Sequence, residues 1–269
     1  MDNTLICGDI HLPIDIHKLS MKKWKEQKEL NENDVLINVG DFGGIWYNEG
    51  HPKYKKDKYW LDWIGSKRYT FAFLDGNHEN HDLLNELPII NKWGGKVGVI
   101  KTKNKDIFYL KRGEVYTINN KTYFVMGGAS SNDQGNRVEG KNWWAGETLS
   151  EADIKNAHDN LKKHNYKVDV ILSHTCPRVF ANELVQMASS KSIYSIGNDY
   201  MDRAMSKFED PTPLILQEFY LKVEFNQWHF GHWHLDLIKK FYDWESKKTN
   251  IFACHYKNKP YMLDFNVKT

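Results

Sequence analysis

Cysteine is scarce in this chain: Cys7, Cys176 and Cys254 are the only three in 269 residues, and none lies close to another in sequence. That scarcity excludes a disulfide framework and a zinc site built on thiolates, and it fits a reducing compartment, so the sequence predicts a cytoplasmic protein. Long apolar runs are missing as well. No window approaches the ~20 apolar residues of a membrane span, and residues 1–7 lack the basic stretch and apolar run of a signal peptide, so no membrane partner is expected. Neither sign of charge dominates. With 37 basic and 35 acidic residues the formal net charge is +2, too little for a global field that would draw the chain to nucleic acid or lipid. A polyanion would have to be recognised locally. Internal repeats and low-complexity linkers are also absent.

What is present suffices for a large core: 41% hydrophobic content over residues 1–269 suits one domain. Short apolar runs at 4–7, 35–39 and 69–74 end in Gly or Asp, the pattern of buried strands feeding loops. Amphipathic spacing between them predicts helices at about 17–30 and 58–64. Strand-like pieces at 97–100, 107–110, 114–118 and 123–126, separated by turn formers such as Lys111-Arg112-Gly113 and Asn119-Asn120, predict antiparallel hairpins. A helix is expected from Ser150, where Asp153 completes an approximate capping box, to about Lys163. A buried strand at 168–172 follows, then a helix at 213–223 and strands near 227–230, 239–244, 251–255 and 261–265. This mixture predicts an α/β fold in four layers, an αββα sandwich of two mixed β-sheets with flanking helices. Residues 129–146 and 175–212 resist periodic reading and are expected to form a substrate-facing rim or lid, because long loops are uncommon unless functional.

Five short clusters carry the chemistry: Gly8-Asp9-Ile10-His11, Gly40-Asp41, Gly76-Asn77-His78-Glu79, Ser173-His174 and Gly231-His232-Trp233-His234. Nearly all follow a predicted strand, so they can gather along one sheet edge, where ligands bind in α/β folds. Taken singly, each has a plain reading: Asp9 and Asn77 as caps, Asp41 as a turn residue before glycines, and the strand-end histidines as structural. Asp9 and His11 alternate, as do His232 and His234, so each pair can point the same way from extended chain. Together the donors are imidazole, carboxylate and amide oxygen without thiolate, a set suited to two divalent ions such as Mn, Fe, Zn or Mg.

In this order the clusters resemble those of the calcineurin-like metallophosphoesterases, over nearly the whole chain from Asp9 to His234. The resemblance implies one ion held by Asp9, His11, Asp41 and His234 and a second by Asp41, Asn77, His174 and His232, with Asp41 as the bridge and His78 beside the leaving group. It implies hydrolysis of a phosphate ester by a shared activated water, with manganese as the metal expected to support activity. At its ordinary pKa of ~6.5, His78 would be suited to protonate the leaving oxygen near neutrality.

The chain departs from the protein phosphatase branch at two places. Phe42-Gly43-Gly44 stands where Asp-Arg-Gly is expected, and Leu74-Asp75 stands where an Arg would precede the third cluster. Without those guanidinium forks a phosphate dianion loses its bidentate grip, so the expected substrate is a phosphodiester or a small nucleotide-type ester. Nuclease action on DNA or RNA and a non-catalytic scaffold are the alternatives. In the loop at 130–144, Arg137, Asp133 and Trp143 are candidates for substrate contact, Arg137 on phosphate and Trp143 or Trp144 on a base. A surface salt bridge and core packing are the competing readings. Of the other histidines, His17, His51, His158 and His164 are expected in solvent, His81 on a helix surface, and His229 and His255 in the core. The lysine-rich stretches 22–28 and 53–58 are expected to be solvated faces.

Overall fold

The computed structural model describes residues 2–131, 133–189, 210–243 and 248–265. Its strands form two sheets. One has seven strands in the order β13-β1-β2-β3-β6-β5-β4, and the other six in the order β11-β12-β10-β9-β8-β7. The centre of the first is parallel: β1 (Thr4–Cys7), β2 (Val35–Val39), β3 (Thr70–Leu74) and β6 (Ile107–Leu110). So is the centre of the second: β8 (Lys121–Met126), β9 (Val170–Ser173), β10 (Gln227–Phe230) and β12 (Lys248–Cys254). Antiparallel strands finish each sheet, β13 (Tyr261–Met262), β5 (Gly95–Ile100) and β4 (Ile89–Lys92) on the first, β11 (Leu237–Asp243) and β7 (Val115–Ile118) on the second.

Strand alternation sorts the apolar side chains into layers. Ile6, Ile37, Ala72 and Leu74 meet Tyr123, Val125, Val170 and Leu172 between the sheets. Their neighbours Leu5, Leu36, Phe71 and Phe73 face outward onto Leu61 and Ile64 of α1 (Tyr54–Gly65). On the far side, Phe124, Ile171, Trp228 and Phe252 pack on α3 (Glu151–Lys163), α4 (Arg178–Ser189) and α5 (Thr212–Lys222). Two sheets with helices on both outer faces are the predicted αββα sandwich.

The structure corrects several local expectations. Residues 17–30 form two short 3-10 turns, Ile16–Leu19 and Lys25–Glu29, instead of a helix. Buried Gln27 donates its amide to the carbonyls of Leu19 and Trp24, so side-chain bonds replace a helical ladder there. The predicted helix at 58–64 begins earlier, at Tyr54. His81 opens a short helix, α2 (His81–Glu86), which Asn80 caps through Leu83 N–H, and the sequence reading missed β4, an exposed edge strand with little burial signal. Within 175–212, residues 178–189 form α4, whose Phe180, Ala181 and Leu184 enter the outer core, so that part of the expected loop is a packing element. Positions 190–209 of the expected rim, and Trp244 of a predicted strand, lie outside the described residues. Among the described residues no helix is long and apolar enough to cross a membrane.

Candidate metal centre

Five parallel strands end beside one another and deliver the clusters: β1 leads to Asp9 and His11, β2 to Asp41, β3 to Asn77, β9 to His174 and β10 to His232 and His234. Three belong to one sheet and two to the other, so the site sits where both sheets present the carboxyl ends of their strands. Hydrogen bonds cross that seam. His174 Nδ1 lies 3.0 Å from the Val39 carbonyl, and His232 N–H donates to Asp9 Oδ1 at 3.0 Å.

The backbone bends sharply here. Asp9, His11, Asp41, His232 and His234 all take positive φ, between 42° and 63°. L-residues rarely adopt that region, and strain of this kind persists where the surroundings enforce it, most often at functional sites. The cluster glycines leave room for the side chains. A Cβ on Gly40 would lie 2.1 Å from His174 Nδ1, and one on Gly76 would lie 2.2 Å from Asp41 Oδ1.

The donors converge in two groups, Asp9, His11, Asp41 and His234 in one and Asp41, His174 and His232 in the other, with ligand atoms within 4.8 Å of one another inside each group. Asp41 belongs to both. Its Oδ2 lies 3.1 Å from His11 Nε2, and its Oδ1 lies 3.1 Å from His174 Nε2. Asn77 Oδ1 joins the second group, 3.2 Å from His174 Nε2. Two of the four imidazoles are oriented from behind: His174 Nδ1 faces the Val39 carbonyl, and His11 Nδ1 faces the Asp9 carbonyl and the Asp15 carboxylate at 3.2 and 3.3 Å. Those acceptors keep the Nδ1 proton and turn Nε2 inward, the usual arrangement behind ligating histidines. Asp9 Oδ2 is buried with no hydrogen-bond partner. An orphaned carboxylate oxygen, faced by imidazole nitrogens in a thiolate-free pocket, fits divalent cations.

Electrostatics point the same way. Burial alone would raise Asp41, but His174, His78 and His11 around it hold its carboxyl well below the usual range. Burial opposes charge on His11 and His174 too. Asp41 outweighs it, with Asp9 adding, and pushes both imidazoles up to about 9. Burial, followed in size by the His174, Asp41 and His11 interactions, moves Asp9 upward on balance. Protons thus occupy, in the metal-free protein, places that cations would take.

The family model of the calcineurin-like phosphoesterases matches residues 3–236. The chain belongs to that family. As a calcineurin-like phosphoesterase it is a metal-dependent phosphohydrolase, and its buried Asp and His groups are where metal can bind. No curated protein matches the chain.

In this phosphoesterase the candidate substrate residues separate. His78 N–H donates to Asp41 Oδ1 at 2.9 Å, and its ring centroid is 5.4 Å from that of His11. Burial lowers the His78 pKa despite Asp41, with the positive charges of His11 and Arg137 acting in the same direction. The ring is therefore mostly neutral near pH 7, which corrects the expectation of an ordinary imidazole. Arg137 makes the salt bridge that was one of its two sequence readings. Its Nη2 pairs with Asp133 at 2.8 Å, and its Nη1 lies 3.4 Å from His78 Nδ1. A guanidinium can only donate, so that contact leaves the neutral ring's proton on Nε2. Trp144 is spent on packing: it is buried, donates to Asp82 at 2.9 Å and lies against Trp46. Trp143 is half-buried on the same loop, and among the described residues no hydrogen bond or ring contact joins it to the ligand set.

Sequence reasoning missed the residues that hold the ligands. Glu79 was visible in its cluster but had no role; it is buried, accepts Phe42 and Gly43 N–H at 2.6 and 3.1 Å, and fixes the turn after Asp41. Burial, with the nearby Asp41 charge, raises its pKa to about 8. Buried Glu147 accepts Ser131 N–H and Oγ–H at 2.6 and 2.7 Å and Gln134 Nε2 at 2.6 Å, closing the loop 129–147. Asn77 Nδ2 donates to Ser131 Oγ at 3.1 Å, which turns the amide oxygen toward His174. Arg112 is buried against Asp75 and donates to the carbonyls of Gly146, Glu147 and Thr148, so it is structural and not a phosphate grip. His81 is buried, contrary to expectation, with Nε2 3.1 Å from the Gly76 carbonyl, and burial lowers its pKa to about 4. His158 is half-buried and faces Glu218 at 3.2 Å, not open solvent.

Proposed function

We propose that the protein hydrolyses a phosphodiester or small nucleotide-type phosphate ester with two divalent ions, one held by Asp9, His11, Asp41 and His234 and the other by Asp41, Asn77, His174 and His232. The observation that carries this reading is that both donor groups share Asp41, one carboxylate oxygen toward each. When bound, such ions supply Lewis acidity, a water acidic enough to attack near neutral pH, and charge neutralisation on the phosphoryl group; manganese is the metal we expect to support turnover.

The chain's own residues do the rest. Asp41 holds the two groups at a fixed separation through its paired oxygens. His78, anchored by its backbone to Asp41 and supplied with the Nε2 tautomer by Arg137, offers an N–H to the leaving or phosphoryl oxygen. Because its pKa is lowered, hydrogen-bond donation to developing charge is its main role near pH 7, with full proton transfer favoured only at lower pH. Diester preference is supported by the engagement of two arginines: Arg112 is held by Asp75, and Arg137 shares its charge with Asp133. Neither is left free to grip a dianion bidentately. The three cysteines, all buried and in no disulfide, support a cytoplasmic setting.

The test is a hydrolysis panel on protein loaded with Mn, Zn or Fe: an aryl monoester, an aryl diester, cyclic and linear dinucleotides, single-stranded DNA and a phosphopeptide. Faster turnover of the aryl diester and dinucleotides than of the monoester and phosphopeptide is expected. Preference for DNA would make the protein a nuclease, and no turnover of any substrate would make it a scaffold.

A further inference from the structure

Lys18 is a buried cation beside the metal centre. It is 3% exposed, on the 3-10 turn Ile16–Leu19, and its ammonium donates to three backbone carbonyls: Gly8, Asp9 at 3.1 Å and Tyr256 at 2.5 Å. Withdrawing an ammonium from water costs several kcal/mol unless polar groups replace its hydration, so these carbonyls must be held in place to receive it. Two of them belong to the turn that delivers Asp9 and His11. The third belongs to Tyr256, whose ring stacks on His234 with centroids 4.5 Å apart and planes 12° from parallel. The Tyr256 loop is fixed in its turn by Asp236, two residues beyond His234, whose carboxylate accepts the N–H groups of Tyr256, Lys257 and Asn258 at 2.9, 3.0 and 3.2 Å. One ammonium therefore joins the turn after β1 to the loop backing His234. Those two places supply Asp9, His11 and His234, every member of the first donor group except Asp41.

We propose that Lys18 is a positioning residue for the first donor group, holding Asp9 and His234 in register for a divalent cation with Tyr256 as the relay. It acts through backbone carbonyls and a ring stack and touches no substrate. The second group has its own supports, the Val39 carbonyl behind His174 and Ser131 behind Asn77, and meets Asp9 through the His232 N–H, so loss of Lys18 should be felt chiefly at one ion. The inference rests on the metal-dependent reading of the site, but its test does not depend on turnover.

The experiment is an equilibrium Co²⁺ titration of metal-free protein followed by visible absorbance, with thermal unfolding of the same samples. Wild type should bind two equivalents. Lys18→Met should weaken one of them roughly 10- to 100-fold, the usual range for a residue behind the ligands, and affect the other much less. Tyr256→Ala should weaken the same equivalent, whereas Tyr256→Phe, which keeps the stacked ring, should behave as wild type. A folded Lys18→Met protein with a lower Tm and two wild-type affinities would make Lys18 merely structural and overturn the proposal. If Lys18→Met does not fold, the Tyr256 pair decides, and wild-type affinities in Tyr256→Ala sink it. Wild type that binds no Co²⁺ would overturn this inference together with the functional reading, whereas two tight equivalents in every variant would overturn this inference alone.

Discussion

The floor of the site and its rim are built in opposite ways. The floor consists of strand-end clusters whose ligands bend back through left-handed backbone and bond across the seam between the sheets, His232 to Asp9 and His174 to Val39. The rim, residues 129–147, has little regular structure beyond two 3-10 turns, and is closed by Glu147 on Ser131 and Gln134 and by Arg112 on three carbonyls. A floor of this kind is fixed by the fold and commits the protein to metal chemistry. A rim held by a few side chains can change while the floor stays, and we propose on that ground that substrate choice belongs there.

If that division is right, damage to the floor should abolish metal binding, and damage to the rim should spare it. Asp41→Asn gives the largest expected effect: both ions lost by elemental analysis and turnover reduced to background. Two retained equivalents would break the assignment of Asp41 to both groups. The same variant sharpens the electrostatics. In the wild type, His11 and His174 sit at about 9 and are protonated at pH 7, so loading with metal should release protons, and apparent affinity should rise with pH until about 9. Proton release measured with a dye in weak buffer checks this, and Asp41→Asn should release fewer.

Arg112→Met comes next. It leaves Asp75 buried with Tyr109 as its remaining side-chain partner and unties the rim carbonyls, so about 3–5 kcal/mol of stability should be lost in a denaturant titration, with metal affinity preserved in the folded fraction. Loss of both ions from folded protein would show that the rim and the floor are one unit. His78→Ala should lower kcat roughly 100-fold while metal content stays unchanged, because it removes a donor to developing charge and no ligand. Equal kcat on a poor leaving group would remove His78 from the reaction. Arg137→Ala should be milder, a roughly 10-fold fall in kcat/KM, since its charge is already shared with Asp133. Unchanged KM and kcat would leave Arg137 as a salt-bridge residue only.

Much of the floor was legible from sequence because its signals are local. Apolar runs at 4–7 and 35–39 became β1 and β2 as read, and Ser150 with Asp153 forms the predicted capping box. The helix expected at 17–30 failed because spacing cannot reveal that Lys18 turns inward and Gln27 bonds carbonyls instead of water. The rim was recognised as a loop, but Trp144 turned from a stacking candidate into a packing residue, since nothing near it in sequence announces Asp82 or Trp46 as partners. Arg112 stood in the sequence only within a turn and Glu147 had no assigned role, and only the fold buries them.

The sequence by itself determined where the ligand-bearing strands form, which donor types end them, and that no thiolate takes part, because period-two burial and turn chemistry act over a few residues. Tertiary structure alone decided that both sheets bring those ends to one place, that Asp41 faces both donor groups, and that a buried lysine ties Asp9 to the loop behind His234. Those outcomes depend on contacts between residues up to 238 positions apart, such as Lys18 with Tyr256. Closing so long a loop is unfavourable until the two sheets and their shared core have already formed.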